Sequence, residues 1–326
     1  MLLNLHFLPC CCIIYYGDKM SNKRVIKVLE NQGFCYGVNH SIKIVEKVLK
    51  DNNNPRPIYL LNSIVHNKYV NEYFKEKGII VLEGKSKLDL LDKVKFGTVI
   101  FSAHGVSDLV KEKAKSMNIN VVDATCPFVE KSYQLIKKYI NDDYHILYIG
   151  KNNHPESEAV LSFSDNVTLI TDLNVPNINH NKIAIGHQTT MSSYDVESIY
   201  DQAIKQNNNI VKLPMMCNAT NKRQEELKSA LEEADLTNTL VIIVGDKTSN
   251  NCTKLYELAK RYTDNSLFIS TWKELLTLDL SKYNNCIISS GTSTPLINVK
   301  QVTNYIKTLK KQKDITDLKT YIKKIL

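Results

Sequence analysis

The stretch INVVDATCPFVEKSYQLIKKY (119–139) decides the fold, because its plan occurs three times. An apolar, β-branched run leads into Cys126, and Pro127 follows where a first helical turn tolerates it. Val129, Ser132, Leu135, Ile136 and Tyr139 then fall on one helical face. In the same way VIKVLENQGFC (25–35) leads to Cys35 and a face of Val38, Ile42, Val45 and Leu49. NNIVKLPMMC (208–217) leads to Cys217 and a face of Ala219, Arg223, Leu227, Ala230 and Ala234. Successive cysteines of this set are 91 residues apart.

Outward from each helix comes an apolar strand with a polar tip: PIYLLNSIVHN (57–67), YHILYIGKNNHPE (144–156) and TLVIIVGDKTSNN (239–251). A second such strand follows in each third: GTVIFSAHGVS (97–107), KIAIGHQTTMS (182–192) and NNCIISSGTSTP (284–295). Short continuous apolar runs alternating with helices predict parallel α/β sheets, whose ligands collect outside the carboxyl ends of the strands. The expected fold is therefore α/β: three small parallel-sheet units in a pseudo-threefold arrangement around one central site. The expected divisions are a leader 1–19, units 20–125, 126–216 and 217–305 with one cysteine of the set each, and a basic helical tail 306–326.

Composition narrows the field. In 326 residues, 43% hydrophobic and 23% charged, there is room for a large core or several small ones, and disordered and fibrous classes are excluded. Neither G-x-G-x-x-G nor G-x-x-x-x-G-K-[ST] occurs, so a standard dinucleotide or P-loop site has no support. The net charge of +8 is spread thinly. Its densest run, 307–324, interleaves lysines with Leu309, Ile315, Leu318 and Ile322, and reads as the solvated face of a helix rather than a nucleic-acid arm. Three of the eight cysteines, Cys10 to Cys12, are contiguous and the others are far apart, unlike a secreted disulfide scaffold. No apolar run reaches the roughly 18 to 20 residues that span a bilayer. The apolar stretch 1–19 has no lysine or arginine before Lys19, and reads as an upstream start, a dispensable leader or a cleaved targeting segment. A cytoplasmic protein with neither membrane nor nucleic acid as partner is expected.

A thiol at a helix N-terminus is expected to have its thiolate stabilised by the macrodipole and free N–H groups. Three converging thiolates suggest a metal: zinc, which usually takes a fourth protein ligand, or an iron–sulfur cube that leaves one iron open. Singly, each reads as a buried cysteine, and Cys252 and Cys286, outside the repeated position, keep that reading. His66, His104 and His154 share the strand tips with Thr189, Ser249, Asn250, Asn251 and Ser293. These neutral donors suit a mono- or diphosphate in place of lysines. Glu156, two residues from His154, reads as a proton donor or as a cap for the following turn.

The strings GFCYGV, IVHN, SAHGVS, DATCP, HPE, QTT, CNATNKRQ, SNN and SGTSTP, in this order, resemble the 4-hydroxy-3-methylbut-2-enyl diphosphate reductase family, from Lys23 to the early 300s. The resemblance implies a trefoil of α/β domains around one [4Fe-4S] cluster, with Cys35, Cys126 and Cys217 as ligands and one iron open for the substrate hydroxyl. It implies reductive dehydroxylation of the allylic alcohol diphosphate to isopentenyl and dimethylallyl diphosphate, the last step of the non-mevalonate isoprenoid pathway. His66, His104 and His154 would line the substrate, Ser249, Asn251 and Ser293 the diphosphate, and Glu156 with Thr189 would deliver protons. Asn250 stands where the family often has a second serine; its amide can still donate to phosphate. With no flavin or nicotinamide motif, electrons are expected from an external ferredoxin- or flavodoxin-type donor. The rival readings are a non-redox [4Fe-4S] hydro-lyase and a zinc-bound or metal-free phosphometabolite-binding protein.

Overall fold

The computed structural model describes residues 25–207, 209–214 and 217–308. The leader 1–19 and the tail beyond Thr308 lie outside the described residues. Among the described residues, twelve strands form three four-stranded, wholly parallel sheets. They are β1 (Val25–Val28), β2 (Ile58–Leu61), β3 (Ile80–Leu82), β4 (Thr98–Phe101), β5 (Asn120–Asp123), β6 (His145–Ile149), β7 (Val167–Ile170), β8 (Ile183–His187), β9 (Ile210–Lys212), β10 (Thr239–Val244), β11 (Ser266–Ile269) and β12 (Asn285–Ser290). Between them run α1 (Tyr36–Lys50), α2 (Lys68–Glu76), α3 (Lys87–Leu91), α4 (Asp108–Ser116), α5 (Pro127–Asn141), α6 (Pro155–Leu161), α7 (Ser193–Gln206), α8 (Asn218–Glu232), α9 (Asn250–Tyr262) and α10 (Leu296–Thr308).

Parallel neighbours must be joined by crossovers, which cover both sheet faces and let the central strands be apolar throughout. Every residue of β4 and β10 is buried. Each sheet accordingly has a core on either face. In the first, Ile58, Leu60 and Ile100 pack with α1 and α2 on one side, while Leu61, Val99 and Phe101 pack with α3 and α4 on the other.

The strand orders are β3-β2-β4-β5, β7-β6-β8-β9 and β11-β10-β12-β1. In each, the chain reverses its direction of travel across the sheet between the two central strands, and crevices for ligands open at the carboxyl ends on either side of such a reversal. Those central pairs are the six tip-bearing strands of the sequence. The outer strands β3, β7 and β11 were not singled out by periodicity, being short and only half-buried.

The third sheet requires one revision of the unit boundaries. Strand β1, inside the span 20–125, pairs with β12 of the third unit, Val25 opposite Asn285 through Val28 opposite Ile288. The reason is closure. Strands β5 and β9, which run into Cys126 and Cys217, edge the sheet preceding their cysteine, so the strand before Cys35 must edge the last sheet for the ring to close. Each of the three cysteines thus sits where the chain passes from one unit into the next. Helix α10 also passes the expected boundary at 305, its Val299, Val302, Tyr305 and Ile306 packing into the third unit.

Candidate active site

His66 follows β2, His104 follows β4 and His154 follows β6, so two units bring three imidazoles together. Their ring centroids are 4.5 Å (His66–His104), 5.6 Å (His66–His154) and 5.5 Å (His104–His154) apart. One ring nitrogen from each lies within 4.8 Å of the others. Burial holds all three pKa values below the ordinary histidine range, that of His154 down to about 3. At neutral pH they are uncharged. His154 caps α6, its Nδ1 accepting the Glu156 N–H at 3.2 Å, so its proton sits on Nε2. Among the described residues the buried His66 Nε2 has no hydrogen-bond partner. Tyr133 on α5 donates its hydroxyl to the His104 carbonyl at 2.7 Å, fixing that turn from the neighbouring unit.

Glu156 is 1% exposed and accepts three hydrogen bonds. Thr189 gives two, its N–H to Oε1 at 2.8 Å and its hydroxyl to Oε2 at 2.8 Å, and the Tyr148 hydroxyl gives a third to Oε1 at 3.2 Å. These donors favour the carboxylate, but burial outweighs them and pushes the pKa up to about 7. Glu156 therefore holds a transferable proton at neutral pH, with the Thr189 hydroxyl as its immediate partner. Its place in the first turn of α6 is that of a helix-terminal acid, yet its carboxyl group is spent on Thr189 and Tyr148 rather than on capping.

Cys35, Cys126 and Cys217 occupy the N-cap positions of α1, α5 and α8. Val38 N–H points to Cys35 Sγ at 3.4 Å. None of the three is in a disulfide, and each is near enough to another for its charge to be felt. The expected thiolate stabilisation by helix ends is outweighed at two of them. Burial pushes the Cys126 thiol up to about 11 and raises that of Cys217, while N–H groups of Phe128, Val129, Ala219 and Thr220 pull the other way. Such thiols become thiolates when a metal replaces their protons. A β-carbon at Gly37 would lie 2.2 Å from Cys126 Sγ, so glycine there makes room for the close approach of two units. We expect Gly37→Ala to strengthen α1 locally by about 1 kcal/mol yet displace Cys126. Circular dichroism should show an intact fold alongside a large loss of any metal that the wild-type thiols hold; unchanged metal content would show that the thiol has room to move.

Arg223, one helical face below Cys217, is buried and donates to the carbonyls of Ser290 (2.7 Å), Gly291 (3.0 Å) and Gly33 (2.7 Å). It ties the β12 tip to the segment entering Cys35. Asn251 continues this framework: its Oδ1 accepts the Thr292 N–H at 2.8 Å and its amide reaches Thr220 at 3.3 Å, while the Cys35 N–H donates to the Thr292 carbonyl at 3.0 Å. Ser249 and Ser293 meet at 3.4 Å between hydroxyls, and Ser293 reaches the His66 carbonyl at 3.2 Å, so the third unit's tips join the histidines. Asn250 also joins two units. Its amide donates to the Thr190 carbonyl (3.0 Å) and hydroxyl (3.1 Å), a junction between the second and third units.

Sequence reasoning passed over several participants. Tyr148, Tyr133 and Arg223 sit on apolar strand and helix faces, where their periodicity reads as core. Asp246, a second carboxylate on a tip strand, accepts the Lys68 N–H at 2.9 Å and raises the His66 pKa against the lowering by burial. Lys87, in a segment carrying no motif, is buried beside the histidine turn.

The LytB protein family model matches residues 26–307. The 4-hydroxy-3-methylbut-2-enyl diphosphate reductase of Bacillus thuringiensis (strain Al Hakam) is 39% identical over 288 residues, covering 87% of this chain and 90% of that protein. The same enzyme of Bacillus cereus (strain AH187) is 38% identical with the same coverage. Among solved structures, the E-1-hydroxy-2-methyl-but-2-enyl-4-diphosphate reductase of Plasmodium falciparum superposes with a TM-score of 0.78 at 26% identity, over 93% of this chain and 99% of that one. A second, described as (E)-4-hydroxy-3-methyl-but-2-enyl diphosphate reductase, the terminal enzyme of the non-mevalonate pathway, gives 0.61 at 27% identity, over 87% and 99%. With three parallel sheets closing on a shared set of thiols, imidazoles and one buried acid, and with this match along nearly its whole described length, the chain belongs to the LytB protein family.

Proposed function

We propose that this chain reduces 4-hydroxy-3-methylbut-2-enyl diphosphate to isopentenyl and dimethylallyl diphosphate, the last step of the non-mevalonate isoprenoid pathway. The observation that carries the reading is the pairing of a buried, protonatable Glu156 with three helix-end thiols close enough to feel one another's charge, beside neutral donors. The donor set fits one [4Fe-4S] cluster held by Cys35, Cys126 and Cys217. Three thiols in no disulfide supply soft ligands, and Gly37 clears the space where two of them approach. Such a cluster, when bound, supplies electrons singly and an open, Lewis-acidic iron.

The reaction breaks one C–O bond and forms one C–H bond, taking up two electrons and two protons and releasing water. Glu156 supplies a proton through the Thr189 hydroxyl. His154, with Nε2–H fixed by its cap bond, and the uncharged His66 and His104 act as hydrogen-bond donors that orient substrate without competing as acids. Ser249 and Ser293 hold the diphosphate, while Asn250 and Asn251 position the turns that present them. Electrons come from an external ferredoxin- or flavodoxin-type donor, and the site of action is the cytoplasm.

Ser249→Ala should raise KM about tenfold or more, a hydrogen bond to a charged group being worth roughly 1.5 to 3 kcal/mol. Steady-state kinetics check this, and an unchanged KM would remove Ser249 from the diphosphate site. The reaction itself is tested anaerobically with substrate and reduced methyl viologen. The reading requires two equivalents of viologen oxidised per substrate and both diphosphate products, whereas conversion without reductant would make the protein a hydro-lyase. The close histidine nitrogens favour a second reading, a single zinc ion in a phosphometabolite-binding protein.

A further inference from the structure

The side chains assigned to the diphosphate above are all neutral donors, which is a weak arrangement for such an anion. Two cations act on the histidines of the site, Lys151, which is exposed, and Lys87, which is buried. Lys87, the first residue of α3, is 8% exposed, and its Nζ donates to the Gly105 carbonyl at 2.8 Å. Among the described residues it makes no ion pair, and an ammonium has three donors to place. Its charge is felt by His66, His104 and His154 alike, lowering the pKa of each. The turn it holds is also held by Tyr133 through the preceding carbonyl, so two buried side chains from two units grip consecutive residues of the His104 turn.

We propose that Lys87 is a substrate-binding residue for the diphosphate: the buried cation beside its neutral donors, which through the Gly105 carbonyl also sets the position of His104. The inference rests on the reductase reading above. The groups around Lys87 leave its charge uncompensated. Glu158 on α6 attracts it but is itself exposed, Lys113 on α4 is engaged by Asp92 at 2.6 Å and by the Leu88 carbonyl, and the three imidazoles are neutral. Burial brings the Lys87 pKa down to about 8, so the site is charged at neutral pH and discharges as pH rises beyond that value. An arriving anion restores the missing countercharge, as an acidic partner does for any buried ammonium.

The test measures inorganic pyrophosphate binding to the iron-loaded enzyme by calorimetry between pH 6.5 and 9.5, comparing wild type with K87Q and K87R. At pH 7, K87Q should weaken binding by about tenfold to a hundredfold, and K87R should stay within a few-fold. The K87Q to wild-type ratio cancels the titration of pyrophosphate itself, and it should shrink toward one as pH passes about 8 to 9. A purely structural lysine would leave that ratio constant, and a constant ratio overturns the proposal, as does a ratio near one at pH 7. If K87Q does not fold, K87R answers alone. Its permanent charge should make it the tighter binder at high pH, and parallel pH profiles for K87R and wild type would contradict the proposal. Absence of turnover would overturn the reductase reading and leave this comparison intact; a flat ratio with turnover present overturns Lys87 only.

Discussion

Replacing Glu156 by glutamine should lower turnover by about 10² to 10⁴, while the iron content and pyrophosphate affinity should match those of wild type. The expectation follows from what the carboxyl group does and does not hold up. Glutamine keeps the size: its carbonyl oxygen can still accept the Thr189 N–H while its amide donates to the Thr189 hydroxyl oxygen, so the tip of β8 remains joined to α6. What disappears is an exchangeable proton held at a pKa of about 7. Burial raises that value, so the acid is loaded below it and empties above it. For wild type, kcat should therefore fall as pH rises through about 7, and in Glu156→Gln that limb should vanish. His154 is no substitute donor, since burial has brought its pKa down to about 3 and its Nδ1 is committed to the Glu156 N–H. Near wild-type kcat in an iron-loaded Glu156→Gln protein would assign the proton to another group.

The other large effect is at the thiols. Each of Cys35→Ser, Cys126→Ser and Cys217→Ser should lose iron and activity together, with about equal severity and little change in fold. Equality is expected because the three positions are equivalent: each caps the first helix of one unit at the crossing from the previous one. Serine still caps a helix well, so the scaffold survives. Cys252→Ser is the control. Its sulfur is wedged so that β-carbons at Gly245 and Gly291 would lie 2.3 and 2.0 Å away, which marks a packing role in the third unit. That variant should keep its iron. Iron analysis with thermal melting checks all four, and retention of iron by any of the three N-cap variants would break the equivalence.

The repeat was legible because its signals are local. An apolar run, a cysteine and an amphipathic helix fit in about thirty residues, and the polar tips of β2, β4, β6, β8, β10 and β12 stand out against strands buried on both faces. The pairing of β1 with β12 was not legible, because it is a long-range consequence of closing the ring. Nor was the work done by Tyr148 or Arg223, since a polar atom at the end of a buried side chain shows its partner only in three dimensions. The bond from the Asn250 amide to Thr190 of another unit was hidden for the same reason. Thiol acidity was misjudged through the balance of two effects, helix-end N–H groups against burial, whose winner depends on depth.

The central claim is that Cys35, Cys126 and Cys217 together hold one iron–sulfur cluster. The most direct measurement is the iron, sulfide and zinc content of the protein purified without oxygen, with its absorption spectrum. The account predicts a brown protein with about four iron and four sulfide per chain, reduced to little or none by Cys126→Ser. A colourless protein with one zinc, lost on replacing His104 and kept on replacing Cys126, would contradict it.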